Sequence, residues 1–300
     1  SFDIDALIKL DDERKEVLTT FENSRAEQNK LSDDVGKADA GDRAKMVEAL
    51  KPLKEKVQAA EEQVREITKR WQALMLEVPN VPDMSVPDGS SDEENIEHRI
   101  SGDKPQFSFT PKDHTELMEK LDMVDFERGT KVAGFRGYFL KNDAVLLQFA
   151  LWQYFLQAIV AKGFAPMVVP SLVNKQTLYG SGYLPQGEDD LYRTQDDEYL
   201  AGTGEVATMS YHSDEVLNIA DLPLKYVAFS PCFRREAGSH GKDVKGLIRV
   251  HEFYKLEQVV LCEADHEQSV KYHEEITKNV EELLQALGLH YHVVINCGGD

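Results

Sequence analysis

Charged and aromatic side chains are concentrated between residues 228 and 257, in two segments that a glycine-containing loop connects. Apolar and polar residues alternate in both segments, and a period of two is typical of β-strands. Two such runs on either side of a loop predict an antiparallel hairpin. The alternation places Arg234 and Glu236 on one face of the first strand, and Phe253 and Glu257 on one face of the second.

These side-chain types suit a particular pair of substrates. A guanidinium group binds phosphate in a bidentate manner and stays charged at any working pH. An aromatic ring stacks on a nucleobase, and carboxylates receive an ammonium or a hydroxyl group. The hairpin therefore suits a nucleoside triphosphate together with a small substrate that carries an amine. A solvated hairpin with surface ion pairs is the alternative that composition leaves open.

A second candidate binding element is Thr203-Gly204-Glu205. If this segment is an extended strand, residues two apart point to the same side, so a hydroxyl and a carboxylate would share one face. That pair would suit an ammonium group. The alternative is a surface loop without a binding role.

The first 78 residues are predicted to form a helical hairpin, with helices over 4–35 and 43–77 and a turn over 36–42. The seam of the second helix recurs at alternating intervals of four and three: Met46, Leu50, Leu53, Val57, Ala60, Val64, Ile67, Trp71, Leu74 and Val78. Such spacing is the signature of a coiled coil. A dimerisation coiled coil or a spacer is the alternative interpretation.

The domain boundaries follow from composition. We expect an arm over 1–78 and a linker rich in proline, aspartate and serine over 79–110. The remainder, 111–300, mixes strands and helices, and it includes a buried amphipathic helix over 142–162. The predicted fold class is therefore α+β.

Composition limits the function classes. The formal charge of −20 argues against a broad nucleic-acid surface, because phosphate contacts need lysine and arginine. A local basic cluster remains, formed by Arg234, Arg235, His240, Lys242, Lys245 and Arg249. The three cysteines form no CxxC pair, so neither a disulfide framework nor a zinc site is predicted. No apolar run approaches the roughly 20 residues of a membrane span, and no leader is evident, so we expect a cytoplasmic protein without membrane contact.

The sequence of the hairpin resembles that of a known family. Phe233-Arg234-x-Glu236, followed by the loop and by Arg249-Val-His-x-Phe253, resembles motif 2 of the class II aminoacyl-tRNA synthetases, and the fuller string resembles the seryl-tRNA synthetases. The apolar strand that ends at Pro170 resembles motif 1, which forms a dimer interface in that family. Thr203-x-Glu205 resembles the family's serine-binding strand, although Gly204 stands where alanine is usual.

The resemblance implies ATP-dependent attachment of L-serine to tRNA(Ser) through a seryl-adenylate, with tRNA(Sec) as a second candidate acceptor. ATP and Mg²⁺ are the implied cofactors, and a homodimer is the implied assembly. The fold implied for 111–300 is a class II antiparallel sheet flanked by helices. The alternatives are an inactive synthetase-like binding or regulatory protein, and a coiled-coil scaffold.

The resemblance also assigns residues. Arg234 is the implied catalytic residue, and the implied ATP-binding residues are Arg234, Arg235, Glu236, Val250, His251, Glu252 and Phe253. The implied serine-binding residues are Thr203, Gly204, Glu205, Arg234 and Glu257. The implied tRNA contacts on the arm are Arg25, Lys30, Lys37, Arg43 and Lys45. The loop 238–246 would touch the end of the tRNA.

The family's motif 3 and its metal-binding glutamate would follow Asp300, so no metal ligand is expected within these residues. We expect either a fragment of a longer enzyme or a naturally short relative that has lost the activity.

Overall fold

The computed structural model describes residues 2–238 and 245–300, and the chain divides into two compact units, Ser1–Val86 and Pro87–Asp300. The first unit is a pair of long helices, α1 (Ile4–Lys37) and α2 (Ala40–Met75). Helix α1 begins after Asp3, whose carboxylate accepts a hydrogen bond from the amide of Ala6 at 3.0 Å.

The seam of the arm follows the predicted spacing. Leu10, Leu50, Val57 and Ile67 are all buried, as a four-three repeat requires. Arg14 of α1 also faces α2, and its guanidinium stacks 4.4 Å from the ring centroid of Trp71 while it donates a hydrogen bond to Asp11. A cation–π contact thus fits a charged residue into an apolar seam.

The connection between the two helices is tighter than predicted. Gly36 and Gly41 lie inside the helices, and only residues 38 and 39 separate them. The predicted turn over 36–42 was therefore wrong in extent, because both helices continue through glycines that a turn could have used. Helix α2 also continues through Pro52.

The second unit begins earlier in the chain than predicted. Strand β1 (Ile96–Ser101) lies within the expected linker and pairs in an antiparallel manner with β10 (Tyr291–Ile295). The amide of Gly298 also donates to the carbonyl of Pro87 at 3.0 Å. Residues from 87 onward, expected to be linker, therefore belong to the second unit.

The remaining elements connect these two strands. The helices are α3 (His114–Lys120), α4 (Phe126–Ala133), α5 (Asp143–Val160), α6 (Lys175–Gly180), α7 (Gly204–Met209) and α8 (His266–Ala286). The strands are β2 (Val124–Asp125), β3 (Phe139–Leu140), β4 (Ala165–Val168), β5 (Leu172–Val173), β6 (Tyr192–Arg193), β7 (Tyr199–Leu200), β8 (Leu224–Phe233) and β9 (Glu252–Leu261).

The predicted hairpin is the centre of the second unit. Strands β8 and β9 pair in an antiparallel manner over ten residues each, with Cys232 opposite Phe253 and Ala228 opposite Glu257. Strand β4 joins the other edge of β8 in a parallel manner. One face of this sheet carries Phe229 and Tyr254, which stack on each other at an interplanar angle of 12°.

Helix α5 packs on that face through one side only. Trp152 lies 5.1 Å from the rings of both Phe229 and Tyr254, and Ile159 is buried. Leu146 and Phe149, however, are 68% and 62% exposed, so the expectation of a largely buried helix was wrong. Within the described residues, this helix is also the one long and apolar enough, by length and composition alone, to cross a membrane. The expectation that no segment approaches that length is corrected accordingly.

A second core lies beside the other face of the hairpin. Strands β5, β7 and β6 form a small antiparallel sheet, and its core includes Leu178, Leu184, Tyr199 and Val206. The amide of Phe233 donates to the carbonyl of Ala201 at 3.0 Å. This bond ties the end of β8 to the segment that follows β7, and it brings residues 201–205 to the open face of the hairpin.

Candidate functional site

The open face of the hairpin carries the predicted aromatic and acidic side chains. Phe253, Lys255 and Glu257 alternate along β9 on this face, and they stand opposite Cys232, Ser230 and Ala228 of β8. Tyr254 lies on the other face, against Trp152. The predicted sharing of one face by Phe253 and Glu257 is therefore correct. The prediction for the first strand holds less well, because β8 ends at Phe233, before Arg234 and Glu236.

Thr203 and Glu257 form the central polar contact of the site. The hydroxyl of Thr203 donates to Oε2 of Glu257 at 2.8 Å, and Thr203 is only 1% exposed. A hydrogen bond to a charged acceptor contributes more than a neutral one, about 1.5–3 kcal/mol. The bond therefore holds the carboxylate in one orientation at the floor of the site.

The expected extended Thr-x-Glu strand is wrong. Thr203 is extended, with φ −164° and ψ 149°, but the chain turns at once into helix α7. The hydroxyl oxygen of Thr203 accepts a hydrogen bond from the amide of Glu205 at 3.3 Å, as a threonine at a helix N-cap does. Glu205 consequently lies on the first turn of the helix, and Glu257 takes the position beside Thr203 that the strand prediction gave to Glu205.

Gly204 allows this helix to approach the sheet closely. A Cβ at this position would lie 3.0 Å from Oγ of Ser230 and 3.6 Å from Cβ of Glu257. An alanine here would fit only if Ser230 shifted by a few tenths of an ångström. Glycine thus replaces the family's usual alanine at the position that faces the hydroxyl of Ser230.

Lys255 is a part of the site that sequence reasoning missed. Its ammonium group forms an ion pair with Oε2 of Glu257, the same oxygen that accepts from Thr203. The alternation that identified Phe253 and Glu257 would also have identified Lys255, because it lies between them on the same face.

Arg234 lies at the other end of the same face. Its Nε donates to the carbonyl of Gly202 at 3.2 Å, and its Cζ lies 5.3 Å from the ring centroid of Phe253. A Cβ at Gly202 would lie 3.3 Å from Cγ of Arg234, so the glycine gives the guanidinium room to lie over the ring. Arg234 and Phe253 are therefore brought together as predicted.

Arg235 and Glu236 leave this face. The Nη1 atom of Arg235 donates to the carbonyl of Asp189 at 3.0 Å, and its amide donates to that of Asp190 at 2.9 Å. The side chain of Glu236, only 8% exposed, forms an ion pair with Arg249. Both residues stabilise the segment that leaves β8. Residues 239–244 of that loop, with His240 and Lys242 of the basic cluster, lie outside the described residues.

Val250, His251 and Glu252 lead into β9. Val250 is buried, and Nδ1 of His251 donates to the carbonyl of Arg234 at 3.0 Å. The amide of Arg234 donates in turn to the carbonyl of His251 at 3.0 Å. This reciprocal pair extends the hairpin beyond the strands and orients Arg234. The side chain of Glu252 is exposed, and its carbonyl accepts from the hydroxyl of Tyr138 at 3.1 Å.

Tyr183 is a second residue that sequence reasoning missed. Burial raises the pKa of its hydroxyl, and the negative charges of Glu205 and Glu257 raise this pKa further, while Arg234 opposes them. The tyrosine therefore lies within electrostatic reach of both ends of the site. It comes from the turn after α6, far from the hairpin in sequence.

The five basic residues expected on the arm are all exposed. Lys37 lies in the last turn of α1, and Arg43 and Lys45 lie in the first turns of α2, at the end of the helical hairpin. Arg25 lies further back and lines a groove of about 700 Å³ together with Arg65 and Lys69.

Metal ligands are a separate question. Across residues 2–238 and 245–300, no group of three or more His, Cys, Asp or Glu residues is placed to hold a metal ion.

Comparisons with known proteins match both units. Residues 1–82 match the family described as the seryl-tRNA synthetase N-terminal domain. Residues 189–300 match the tRNA synthetase class II core domain (G, H, P, S and T).

Individual relatives match over the whole chain. A serine–tRNA ligase of Deinococcus radiodurans is 43% identical, over 100% of this chain and 71% of the relative. One of Dictyoglomus turgidum is 38% identical, over 100% and 70%. The chain thus spans about 70% of the length of these relatives.

Two solved structures of seryl-tRNA synthetases are similar to this chain over nearly its whole length. Seryl-tRNA synthetase from Pyrococcus horikoshii complexed with ATP matches with a TM-score of 0.84 and 34% identity, over 99% of this chain and 71% of that one. Cytoplasmic serine-tRNA ligase from Naegleria fowleri in complex with AMP matches with a TM-score of 0.81 and 28% identity, over 99% and 68%.

Proposed function

Because this chain belongs to the seryl-tRNA synthetase family, we infer that it activates L-serine with ATP and transfers the seryl group to tRNA(Ser). The observation that carries this inference is the arrangement of the open hairpin face, with Arg234 over Phe253 at one end and Thr203 bonded to Glu257 at the other. The alternatives, an inactive binding protein and a scaffold, are not favoured by any feature of this face.

The first step needs no general base. A serine carboxylate is already a nucleophile: one of its oxygens bonds to the α-phosphorus of ATP, and pyrophosphate leaves with the electron pair of the broken bond. The protein contributes positioning and charge stabilisation. In the second step a ribose hydroxyl at the tRNA terminus attacks the seryl carbonyl, and AMP leaves. Transfer to tRNA(Sec) follows the same chemistry.

ATP would bind at the Arg234 end of the face. The guanidinium would hold the α-phosphate and the substrate carboxylate together, because Arg can donate two parallel hydrogen bonds. The ring of Phe253 would stack on the adenine. Arg235, Glu236 and Val250 to Glu252 would then support ATP binding through the backbone around Arg234, rather than all by direct contact.

Serine would bind at the Glu257 end. Glu257 offers a carboxylate to the ammonium or the hydroxyl, and Thr203 fixes its orientation. Glu205 and Gly204 form the adjoining wall. Along β9, Phe253 and Glu257 are about 13 Å apart at about 3.3 Å per residue, which leaves room for ribose and phosphate between them.

Mg²⁺ would bind the phosphates of ATP and neutralise their charge. On the family resemblance, its protein ligands are proposed to lie outside the described residues.

The arm is proposed to hold tRNA through Arg25, Lys30, Lys37, Arg43 and Lys45, and the loop 238–246 is proposed to meet the acceptor end. We also propose a homodimer, formed through the exposed apolar side of α5 and through β4, where Val168 is 83% exposed. A cytoplasmic location fits the three cysteines, which are all free.

The test is amino-acid-dependent ATP–pyrophosphate exchange. We expect exchange with serine, and a loss of about 1,000-fold in kcat/KM in Glu257→Gln, because the negative charge that would pair with the ammonium is lost. Glu263→Gln, an exposed position just beyond β9, is the matched control and should keep full activity. Exchange with threonine or proline but not with serine would end the assignment.

A further inference from the structure

The carboxylate of Glu257 is paired with a cation of its own chain. Lys255 and Glu257 lie two residues apart on the same face of β9, and the ammonium of Lys255 pairs with Oε2 of Glu257. Their side chains are 32% and 23% exposed, so the pair lies at the wall of the site rather than on open surface. The same oxygen also accepts the hydroxyl hydrogen of Thr203.

The ammonium group of the proposed substrate, serine, would bind at the same carboxylate oxygen of Glu257. If the ammonium of serine binds the carboxylate of Glu257, it meets the ammonium of Lys255 at the same oxygen. Two positive charges a few ångströms apart repel each other, and this repulsion is stronger away from bulk water. One of the two cations must leave, and Lys255 is the one with a long flexible stem.

The released ammonium has a destination on the same face. Lys255 stands midway between Phe253 and Glu257, about 7 Å from each along the strand. If the adenine lies on Phe253 and the amine on Glu257, the serine carboxylate and the α-phosphate lie in the interval. Both groups are anionic, and negative charge is redistributed there as the phosphorus–oxygen bond to pyrophosphate breaks.

We propose that Lys255 is a further catalytic residue that exchanges one partner for another. It pairs with Glu257 in this structure, and the substrate ammonium displaces it toward the carboxylate and α-phosphate. It stays protonated throughout and transfers no proton. This inference rests on the proposed function.

The test uses Lys255→Met, which keeps much of the stem and removes the charge, in the full-length protein. Serine affinity without ATP is measured by calorimetry, and kcat is measured by ATP–pyrophosphate exchange. We expect serine to bind about three- to fivefold more tightly, because no internal ion pair has to break. We expect kcat to fall about 100-fold, the usual effect of removing one group that stabilises developing charge.

Two further variants complete the design. Lys278→Met makes the same change on helix α8, where the side chain is 73% exposed, and should alter neither quantity. Lys255→Arg keeps the charge, and its guanidinium can pair with Glu257 in a bidentate manner, so serine should bind no more tightly than to the wild type. If Lys255→Met does not fold, a Lys255→Arg variant that binds serine more tightly than the wild type overturns the proposal.

Other outcomes are also decisive. Weaker or unchanged serine binding in Lys255→Met overturns the competition for Glu257. Tighter binding with unchanged kcat overturns the role at the reacting atoms. Failure of the proposed function itself is distinct, since the wild type would then show neither serine binding nor serine-dependent exchange.

Discussion

Thr203 and Glu257 are 54 residues apart in sequence, and a 2.8 Å hydrogen bond from the threonine hydroxyl joins them. The bond links the residue before helix α7 to the middle of strand β9. Thr203 is 1% exposed, so water cannot replace this partner without opening the structure. The orientation of the proposed serine-binding carboxylate therefore depends on this threonine.

Thr203→Val tests that dependence. Valine keeps the shape but removes the donor, so a hydrogen bond to a charged group worth about 1.5–3 kcal/mol is lost. We expect kcat/KM for serine in ATP–pyrophosphate exchange to fall about 10- to 100-fold. Thr203→Ser keeps the hydroxyl and should stay within about threefold of the wild type. Equal activity of the valine and serine variants would show that the bond does not contribute.

The two faces of β9 allow a matched pair of aromatic substitutions. Phe253→Leu removes the proposed adenine platform, and stacking of a base on an aromatic ring contributes about 1–3 kcal/mol. We expect KM for ATP to rise about 10- to 100-fold with little change in thermal stability. Tyr254→Leu instead removes packing against Trp152 and Phe229, so it should lower the melting temperature and leave KM for ATP unchanged. If Phe253→Leu lowered the melting temperature and Tyr254→Leu raised KM for ATP, ATP would not bind on the Phe253 face of β9.

The arm should affect transfer but not activation. We expect the combined charge reversals Lys30→Glu, Lys37→Glu and Arg43→Glu to lower kcat/KM for tRNA by at least about tenfold, because phosphate contacts are lost. ATP–pyrophosphate exchange should not change. The control is Lys9→Glu, on the same helix α1 but at its other end, which should leave both reactions intact. A loss of exchange in the triple variant would contradict the separation of roles.

Acid stability should report the contact between β1 and α8. Arg99 donates two hydrogen bonds to Glu281, at 3.0 and 2.5 Å, and these bonds lower the pKa of Glu281 from its usual value of 4.5. A group whose pKa is lowered by folding stabilises the native state above the unfolded pKa, and this stability is lost as the pH falls through the folded value.

Glu281→Gln should therefore lower the free energy of unfolding at pH 7, because the charged carboxylate that Arg99 stabilises is lost. Urea unfolding measured from pH 7 down to pH 3 should show that the difference from the wild type shrinks below pH 4.5. Glu274→Gln on the same helix, 62% exposed, should behave like the wild type at every pH. A difference that grows as the pH falls would contradict the account.

Much of this site was predictable from local periodicity. Alternation in β9 separated Phe253 and Glu257 from Tyr254, and a four-three repeat located the arm, because both periods reflect which face is buried. The start of helix α7 was not predictable in the same way. Whether the backbone turns after Thr203 depends on the cap that its hydroxyl provides and on the sheet against which Gly204 packs.

Contacts across long stretches of sequence also escaped prediction. Strand β1 reads as linker because its partner β10 lies about 190 residues later, and pairing between them cannot be inferred from either segment alone. Tyr183 reaches the site through a turn whose position depends on the core around Leu178 and Leu184. The exposure of α5 likewise depends on the elements that pack beside it. These elements cannot be inferred from the amphipathic pattern of the helix itself.

The most direct measurement is a crystal structure of the protein with a non-hydrolysable seryl-adenylate analogue. The account predicts the adenine stacked on Phe253, the phosphate mimic bonded to Arg234, and the seryl amine or hydroxyl within hydrogen-bonding distance of Glu257. An analogue bound away from this face, or bound with its seryl group remote from Glu257 and Thr203, would contradict it.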